Sequence, residues 1–429
     1  MTHIPLSAFA LLLALPPSGA HRPAPATAAL TRHITVPIDR ADPARGSATL
    51  TIDLGAPFDP QKPTVLVVED GQQFYIRTGA MAALQRDLLG PAVNVAGLIP
   101  RGSDSTFIAA TRGPRGETDW RAAWRIFNSS EWVEDLEAAR RALVGAAGRV
   151  DLYGRSGGSY LVHQYLAAHA AHVRRAFTQS AVDPSLNREL GIPLDDYVAQ
   201  LTRTDTALWR TLEHALPVAG GPGDARLRAL LALQRQHFYV PADSFPQTQR
   251  ALIAALAAHD SAAIRRLETA YEVDDIMHLE TSPQAIPQDV RVLELLYPSG
   301  AFQAAARGGI YPLIESQATF IRPLLDLVGR GAIAVRPRDA RAAHRCSAQV
   351  FVLAARDDEA VDYRTSIALA SEYPSHTLFI AQDNHVFEAM DRLGARRALV
   401  QAFFGDGPAS PAFARALDAA DAVRWHGAP

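Results

Sequence analysis

Cysteine is nearly absent from this sequence, because Cys346 is the single one among 429 residues. It has no partner for an intrachain disulfide and cannot build a cysteine metal cluster, and a lone cysteine is most often a small buried hydrophobe. A basic excess is absent too, because 42 Lys and Arg residues stand against 45 Asp and Glu residues, a net charge of -3. Binding to the phosphate backbone of nucleic acids therefore has little electrostatic support.

A long hydrophobic run is also missing. The apolar stretch at residues 6–15 is shorter than the roughly 20 residues that a membrane-spanning helix needs, and no later run reaches that length. Prolines and small residues follow it at positions 16–20, a pattern that predicts an export signal over residues 1–20 and a secreted or periplasmic location. The first residues carry no Lys or Arg, so a disordered leader is the alternative. The Pro- and Ala-rich residues 21–30 predict a tether.

The remaining composition is globular, with 48% hydrophobic and 20% charged residues, which excludes a disordered, collagen-like or coiled-coil chain. Alternating residues at 32–38 and 47–54 predict a strand pair, and the apolar run Pro63 to Val68 predicts a strand buried on both faces. Further strands are predicted at 92–99, 150–153 and 174–181, with helices at 128–147 and 157–169 and a long loop at 100–127. This order predicts an α/β fold with a mostly parallel sheet flanked by helices.

The alternation of strands and helices stops between residues 184 and 345. Helical patterns at 194–216, 225–236, 247–271 and 313–327 are interrupted there by glycine and proline clusters. Strands resume at 349–355 and 376–381. The pattern predicts a core formed by residues 31–183 and 346–429, with a helical insertion at 184–345 after the strand at 174–181.

The motif Gly154-Arg155-Ser156-Gly157-Gly158 matches G-x-S-x-G. It follows a predicted strand and opens a predicted helix, the setting in which a sharp turn lifts a serine hydroxyl above a sheet. Glycines two before and two after the serine relieve crowding where the strand and the helix meet. The Gly157 amide at the helix N-terminus can stabilise an oxyanion. A glycine-rich turn with an inert serine is the alternative.

A serine nucleophile needs a base that a carboxylate orients, and in this kind of fold the chain order is serine, acid, histidine. Asp358 follows the strand at 349–355, and His385 lies in the loop between the last strand and the last helix. These residues complete a predicted triad with Ser156. Asp357 is the alternative acid, and a solvated acidic turn is the alternative to both. No H-E-x-x-H or similar ligand spacing occurs, so neither a metal nor another cofactor is expected.

The turn after the third strand should supply the second oxyanion amide, from Gly71 or Gln72. Arg101 follows the fourth strand and is predicted to brace that turn beside the substrate. A surface arginine in a turn is the alternative for Arg101.

The chain resembles α/β-hydrolases of the prolyl and tripeptidyl aminopeptidase group over nearly all of its mature length. The resemblance is carried by VPIDRADPARGSATLTI, by IPRGSDS, by NSSEWVEDLEAARRAL and by the serine motif. It implies the α/β-hydrolase fold, a helical cap over the site, and roles for Ser156 as nucleophile, Asp358 as acid and His385 as base. It also implies an aminopeptidase that acts on peptides with a free N-terminus.

The chain departs from this group after the third strand, where EDGQQ replaces the usual H-G-G-P-G. The group holds the free amine of its substrate with carboxylates, and Glu69, Asp70 and an acidic run with Glu272 and Glu280 are the candidates here. A solvated acidic helix face is the alternative for that run. A carboxylesterase on small or acyl-chain esters is the alternative enzyme, and a non-catalytic binding protein is the alternative of another class. The partner is a small-molecule or peptide substrate, and the sequence does not indicate an oligomeric state.

Overall fold

An eight-stranded sheet forms the centre of the protein, in the strand order β1-β2-β4-β3-β5-β6-β7-β8. The structure is a computed structural model that describes residues 30–70, 76–195, 197–216, 224–240, 244–305, 309–339, 346–358 and 360–427. The strands are β1 (Thr31–Pro37), β2 (Ser47–Leu54), β3 (Thr64–Val68), β4 (Asn94–Leu98), β5 (Val150–Arg155), β6 (Val173–Gln179), β7 (Gln349–Ala355) and β8 (His376–Ala381). The predicted export signal and nearly all of the predicted tether lie outside the described residues.

The antiparallel and parallel strand pairs agree with the alternating and continuous apolar patterns of the sequence. The alternating strands β1 and β2 pair antiparallel at one edge, and β2 is antiparallel to β4. All other neighbours are parallel, and every residue of β3 is buried, as expected for a strand covered on both faces. The predicted mostly parallel sheet is therefore confirmed.

In the described residues between β3 and β6 there are five α-helices. They are α1 (Ala80–Leu84), α2 (Ser105–Ala109), α3 (Trp120–Phe127), α4 (Ser129–Val144) and α5 (Gly157–His169). The Asn128 side chain accepts hydrogen bonds from the Ser130 and Glu131 amides and so begins α4, as the sequence predicted. The predicted loop at 100–127 is wrong in part, because it contains α2 and α3. Asp119 caps α3, whose short apolar face is buried and was too brief to recognise as a pattern.

The inserted helical segment, Pro184–Gly329, connects β6 to β7. Its helices are α6 (Pro184–Leu190), α7 (Tyr197–Thr204), α8 (Thr206–Ala215), α9 (Ala225–Tyr239), α10 (Phe245–Ala257), α11 (Ser261–Ala270), α12 (Val273–Glu280), α13 (Ala285–Leu296), α14 (Ala301–Ala305), α15 (Pro312–Phe320) and α16 (Arg322–Gly329). Helices α7 to α12 pack around their own hydrophobic cluster, which includes Leu212, Leu252 and Ile276. The domain limits at 183/184 and 345/346 stay a prediction.

Helix α13 belongs to the main core, unlike α7 to α12. Val290 and Leu293 from this helix are fully buried in the same hydrophobic cluster as the central strands. Pro283 and Pro287 indicate a helix break in the sequence, so the sequence does not predict α13. Pro287 is the third residue of the helix, where a missing N–H removes no intrahelical hydrogen bond. Helix α13 of the inserted segment thus packs into the main core, beside the carboxyl ends of the strands where the predicted site lies.

The chain closes with α17 (Tyr363–Ser371), α18 (Glu388–Arg392), α19 (Ala395–Gly405) and α20 (Pro411–Ala420). The segment after α20 covers the open edge of β8: the Trp425 amide donates to the Ile380 carbonyl and the Gln382 amide donates to the Val423 carbonyl. Covering an edge strand in this way hides its unpaired backbone groups. Within the described ranges, no helix combines the length and the apolar character that crossing a bilayer requires.

His163 on α5 is fully buried. Its Nδ1 contacts the Tyr373 hydroxyl, and its Nε2 has no hydrogen-bond partner among the described residues. Burial lowers the pKa of His163 to about 3, because the charged imidazolium would lose its hydration. The folded protein therefore holds this histidine neutral.

This histidine makes the fold sensitive to acid. The unfolded chain binds the proton at its ordinary pKa of about 6.5, so stability is complete above that pH and is lost as the pH falls toward the folded-state value. Between pH 8 and pH 5 the loss from His163 is about 2 kcal/mol. In denaturant titrations at both pH values, the free energy of unfolding of His163→Phe should fall by about 2 kcal/mol less than that of wild type between pH 8 and pH 5. Tyr373→Phe keeps the imidazole, so its free energy of unfolding should fall by as much as that of wild type. Equal losses in His163→Phe and wild type would contradict this account.

Candidate active site

Ser156 lies at the turn between β5 and α5, with φ 47° and ψ -122°. A non-glycine residue in this region is strained, and such strain persists only where the surroundings enforce it. The Ser156 amide donates to the Gln179 carbonyl at 2.9 Å, which ties the turn to the end of β6. A Cβ atom on Gly154 would lie 2.7 Å from Val162 Cγ2, and one on Gly158 would overlap the Val68 carbonyl oxygen. The two glycines are therefore needed for the close approach of strand and helix.

The structure brings His385 and Asp358 into direct contact. His385 Nδ1 lies 2.8 Å from Asp358 Oδ2 and 2.9 Å from Oδ1, and both side chains are buried. The carboxylate also accepts hydrogen bonds from the Ser180 hydroxyl at 2.7 Å and from the Ala360 and Val361 amides at 2.9 and 2.8 Å. These donors fix its orientation toward the imidazole. An imidazole that donates from Nδ1 to a carboxylate keeps Nε2 as a proton acceptor.

Ser156 and His385 line the same small cavity. The side chains around it also include those of Arg155, Gln179 and Ser180. Ser156 is 3% exposed and His385 is 7% exposed, so both reacting groups are shielded from bulk water. Ser156 precedes Asp358 and His385 by more than 200 positions in the sequence, and the three residues follow the carboxyl ends of β5, β7 and β8.

Asp357, the alternative acid, points elsewhere. It is exposed, and its Oδ2 accepts a hydrogen bond from the Gln382 side chain. The direction was not readable from the sequence, because it depends on how the loop after β7 packs. The Asp357 amide donates to the Asp383 carbonyl, which fixes the loop after β7 at this residue. The Asp357 side chain contacts Gln382, whereas the Asp358 side chain contacts His385. Asp358 is therefore the carboxylate that contacts the imidazole.

The predicted oxyanion donors are described only in part. Gly157 is the first residue of α5 and is buried, so its amide lies at a helix N-terminus beside Ser156. Gly71 and Gln72 lie outside the described residues. The residues just before them, Glu69 and Asp70, are buried at the end of β3.

Three of the carboxylates predicted to hold a substrate amine, Glu69, Asp70 and Glu272, have arginine partners. Arg155 Nη2 lies 2.6 Å from Glu69 Oε1, Arg291 forms an ion pair with Asp70, and Arg235 Nη2 lies 3.4 Å from Glu272 Oε2. A carboxylate whose charge is already compensated attracts a substrate ammonium weakly. The sequence suggested the acids, but the arginines come from distant parts of the chain and were missed.

Glu280 also has a partner, the buried Asp289 of α13. Burial and the neighbouring carboxyl raise the pKa of Glu280, and burial raises the pKa of Asp289. Two acids this close share a proton more readily than they ionise together. Near neutral pH the pair therefore carries less negative charge than its sequence suggests.

The predicted role of Arg101 beside the substrate is corrected by its contacts. Its five N–H groups donate to both Asp135 oxygens and to the Pro37, Ile38 and Ile126 carbonyls, at 2.5 to 3.2 Å. The side chain is fully buried, so no donor is left for a substrate. Arg101 braces Pro37 and Ile38 against α3 and α4. Among the described residues, no group of three or more His, Cys, Asp or Glu side chains could hold a metal ion.

The sheet order, with β2 antiparallel to otherwise parallel neighbours, and the serine at the turn after β5 define the α/β-hydrolase fold for this chain. No family model and no curated protein matches the sequence of this chain. Similar solved structures include an enol-lactonase from Burkholderia xenovorans, with 11% identity, coverage of 83% of this chain and 96% of that chain, and a TM-score of 0.41. An esterase from a Rhodococcus species has 16% identity, coverage of 82% and 95%, and a TM-score of 0.38. An α/β fold family hydrolase from Bacillus anthracis has 13% identity, coverage of 86% and 99%, and a TM-score of 0.39.

Proposed function

We propose that this protein is a serine hydrolase that works through an acyl-enzyme intermediate. The observation that carries the proposal is the contact between His385 Nδ1 and the buried Asp358 carboxylate, beside a serine held at a strained turn. In the first step, His385 Nε2 takes the Ser156 proton while the serine oxygen attacks a substrate carbonyl. The imidazolium then gives that proton to the leaving group. Water, deprotonated by the same nitrogen, releases the acyl group.

The surrounding groups supply the electrostatic part of this reaction. The Gly157 amide donates to the oxyanion, and a second amide comes from Gly71 or Gln72. Asp358 stabilises the imidazolium, and its own charge is held by the Ser180 hydroxyl and two backbone amides. Three donors hold the Asp358 carboxylate in one orientation, which keeps the imidazole in the productive tautomer.

Carboxylic esters are the substrate class that the charges favour. An aminopeptidase must compensate the ammonium group of its substrate, yet Glu69, Asp70 and Glu272 are each paired with an arginine. An uncharged ester needs no such anchor. The aminopeptidase implied by the family resemblance is the alternative, and it requires one of these ion pairs to open for the substrate.

A panel of substrates tests this proposal. We expect turnover of short or long acyl nitrophenyl esters, covalent reaction with a fluorophosphonate at Ser156, and slow cleavage of aminoacyl arylamides whether their amine is free or acetylated. Fast arylamide cleavage that acetylation abolishes would replace the esterase by the aminopeptidase. Failure of both turnover and labelling would leave a binding protein on this fold.

The apolar stretch at residues 6–15 supports a further proposal, that the enzyme acts outside the cytoplasm after removal of residues 1–20. N-terminal sequencing of protein expressed in its own host should begin near residue 21. Retention of residues 1–20 in a cytoplasmic fraction would contradict export.

A further inference from the structure

A buried ion pair lies directly behind the nucleophile turn. Arg291 of α13 contacts the Asp70 carboxylate through Nε, and its Nη2 donates to the Gly157 carbonyl at 3.0 Å. Arg291 and Asp70 are 221 positions apart in the sequence and are 1% and 4% exposed as side chains. One guanidinium therefore joins three elements: the end of β3, the start of α5, and a helix of the inserted segment.

Asp70 lies against the residue that is to supply the oxyanion amide. A Cβ atom on Gly157 would overlap the Asp70 carboxyl group, so the carboxylate packs on the Gly157 α-carbon. A negative charge at this distance in a water-poor site opposes the negative charge that develops on the substrate oxygen during attack. The proposed reaction can proceed beside Asp70 only if a positive charge compensates it.

Arg291 is held firmly in the position that provides this compensation. Its guanidinium carbon lies 5.3 Å from the centre of the Tyr160 ring, and its Nη1 lies 3.6 Å from Glu294 Oε2. Glu294 is fixed in turn by the Ser129 amide at 2.9 Å and the Ser129 hydroxyl at 2.8 Å. A buried guanidinium with partners on several sides has little freedom to move, which makes it a rigid support for the residues it contacts.

We infer that Arg291 is a positioning residue for the oxyanion site: it cancels the charge of Asp70 and fixes Gly157 through the Gly157 carbonyl. The inference rests on the proposed function, because it assigns a role within that reaction. It also gives the inserted segment a part in catalysis, since α13 contributes the side chain that completes the nucleophile turn.

The test is a pair of substitutions measured with the ester that the wild type hydrolyses fastest. Arg291→Met keeps the volume of the side chain but leaves Asp70 uncompensated, so kcat should fall at least about 100-fold, with KM within about threefold of wild type. Glu294 also loses its arginine but keeps its two Ser129 donors, so adding Asp70→Asn, which removes the uncompensated charge beside Gly157, should restore kcat at least about tenfold. The matched control is Arg235→Met, because Arg235 is a buried arginine of the inserted segment that binds the Tyr271 carbonyl and Glu272 instead of the nucleophile turn. We expect its kcat within about threefold of wild type.

Thermal melting of each variant separates positioning from folding. If Arg291→Met does not fold, Arg291→Lys, which keeps the charge but loses the two-point contact, should lower kcat at least about tenfold with KM unchanged. Equal effects of Arg291→Met and Arg235→Met, a change confined to KM, or a double variant no faster than Arg291→Met would overturn the inference while leaving the proposed function intact. A wild type that neither hydrolyses esters nor reacts with a fluorophosphonate would overturn both.

Discussion

Replacing Ser156 by alanine should lower kcat for ester hydrolysis at least about 10⁴-fold, with little change in KM. The hydroxyl is the atom that forms the acyl bond, and no neighbouring group can take its place at the strained turn. Substrate contacts do not involve that hydroxyl before attack, so binding should persist. Steady-state kinetics with a nitrophenyl ester, together with intact-mass analysis after fluorophosphonate treatment, measures both effects.

Ser159 provides the matched control for this substitution. It is a buried serine on the same helix, and its hydroxyl donates to the Gln179 carbonyl at 2.9 Å and accepts from the Gln179 amide at 3.1 Å. Ser159→Ala should cost about 1 to 3 kcal/mol of stability, because it removes two hydrogen bonds to the buried Gln179 backbone, and should keep kcat within about threefold of wild type. Residual turnover above 1% of wild type in Ser156→Ala, or equal loss in both variants, would rule out Ser156 as the nucleophile.

Local patterns were enough to predict most of the fold, and they singled out Ser156, Asp358 and His385 as the candidate catalytic residues. Strands can be predicted from continuous apolar runs or from an alternation of apolar and polar residues. The serine turn can be predicted because the G-x-S-x-G spacing occurs between a predicted strand and a predicted helix. The order of serine, acid and histidine then limited the partners to a few loops at the carboxyl ends of strands. His385 could be singled out because it alone among the histidines follows a predicted strand directly in such a loop.

The charge pairing around the site could not be predicted in this way. Glu69 and Arg155 are 86 positions apart, and the contact between Asp70 and Arg291 spans 221 positions. Neither pair follows from a helical or strand period, because the partners meet only after the sheet and α13 have packed. For this reason the acidic residues near β3 suggested an amine-binding site in the sequence and form internal ion pairs in the structure.

Helix α13 was missed for a related reason. All of its residues are buried, including the polar Gln288, Arg291 and Glu294, which the sequence alone would assign to a solvated face, and its proline occurs in the first turn. A helix buried all round is stabilised by the elements that cover it. The sequence therefore indicated a break at the place where the inserted segment makes its contact with the nucleophile turn.

Asp358→Asn should lower kcat about 10⁴-fold without a comparable change in KM. The asparagine retains the shape of the side chain, but its amide cannot accept the His385 Nδ1 proton as a carboxylate does. The imidazole then adopts the tautomer in which Nε2 carries the proton and cannot accept one from Ser156. The substitution also removes the negative charge of Asp358, which stabilises the imidazolium during attack. Steady-state kinetics across neutral and alkaline pH measures the loss.

Asp357→Asn is the matched control, because the two aspartates are adjacent and only one contacts the imidazole. Asp357 is exposed and accepts a hydrogen bond from Gln382, so its substitution should leave kcat within about twofold of wild type. An equal loss in both variants would mean that the loop after β7 acts as a unit and that the His385 contact with Asp358 is not the catalytic one. A loss confined to Asp357→Asn would assign the acid to Asp357 and require the loop to rearrange when substrate binds, since its carboxylate and the imidazole do not face each other in this structure.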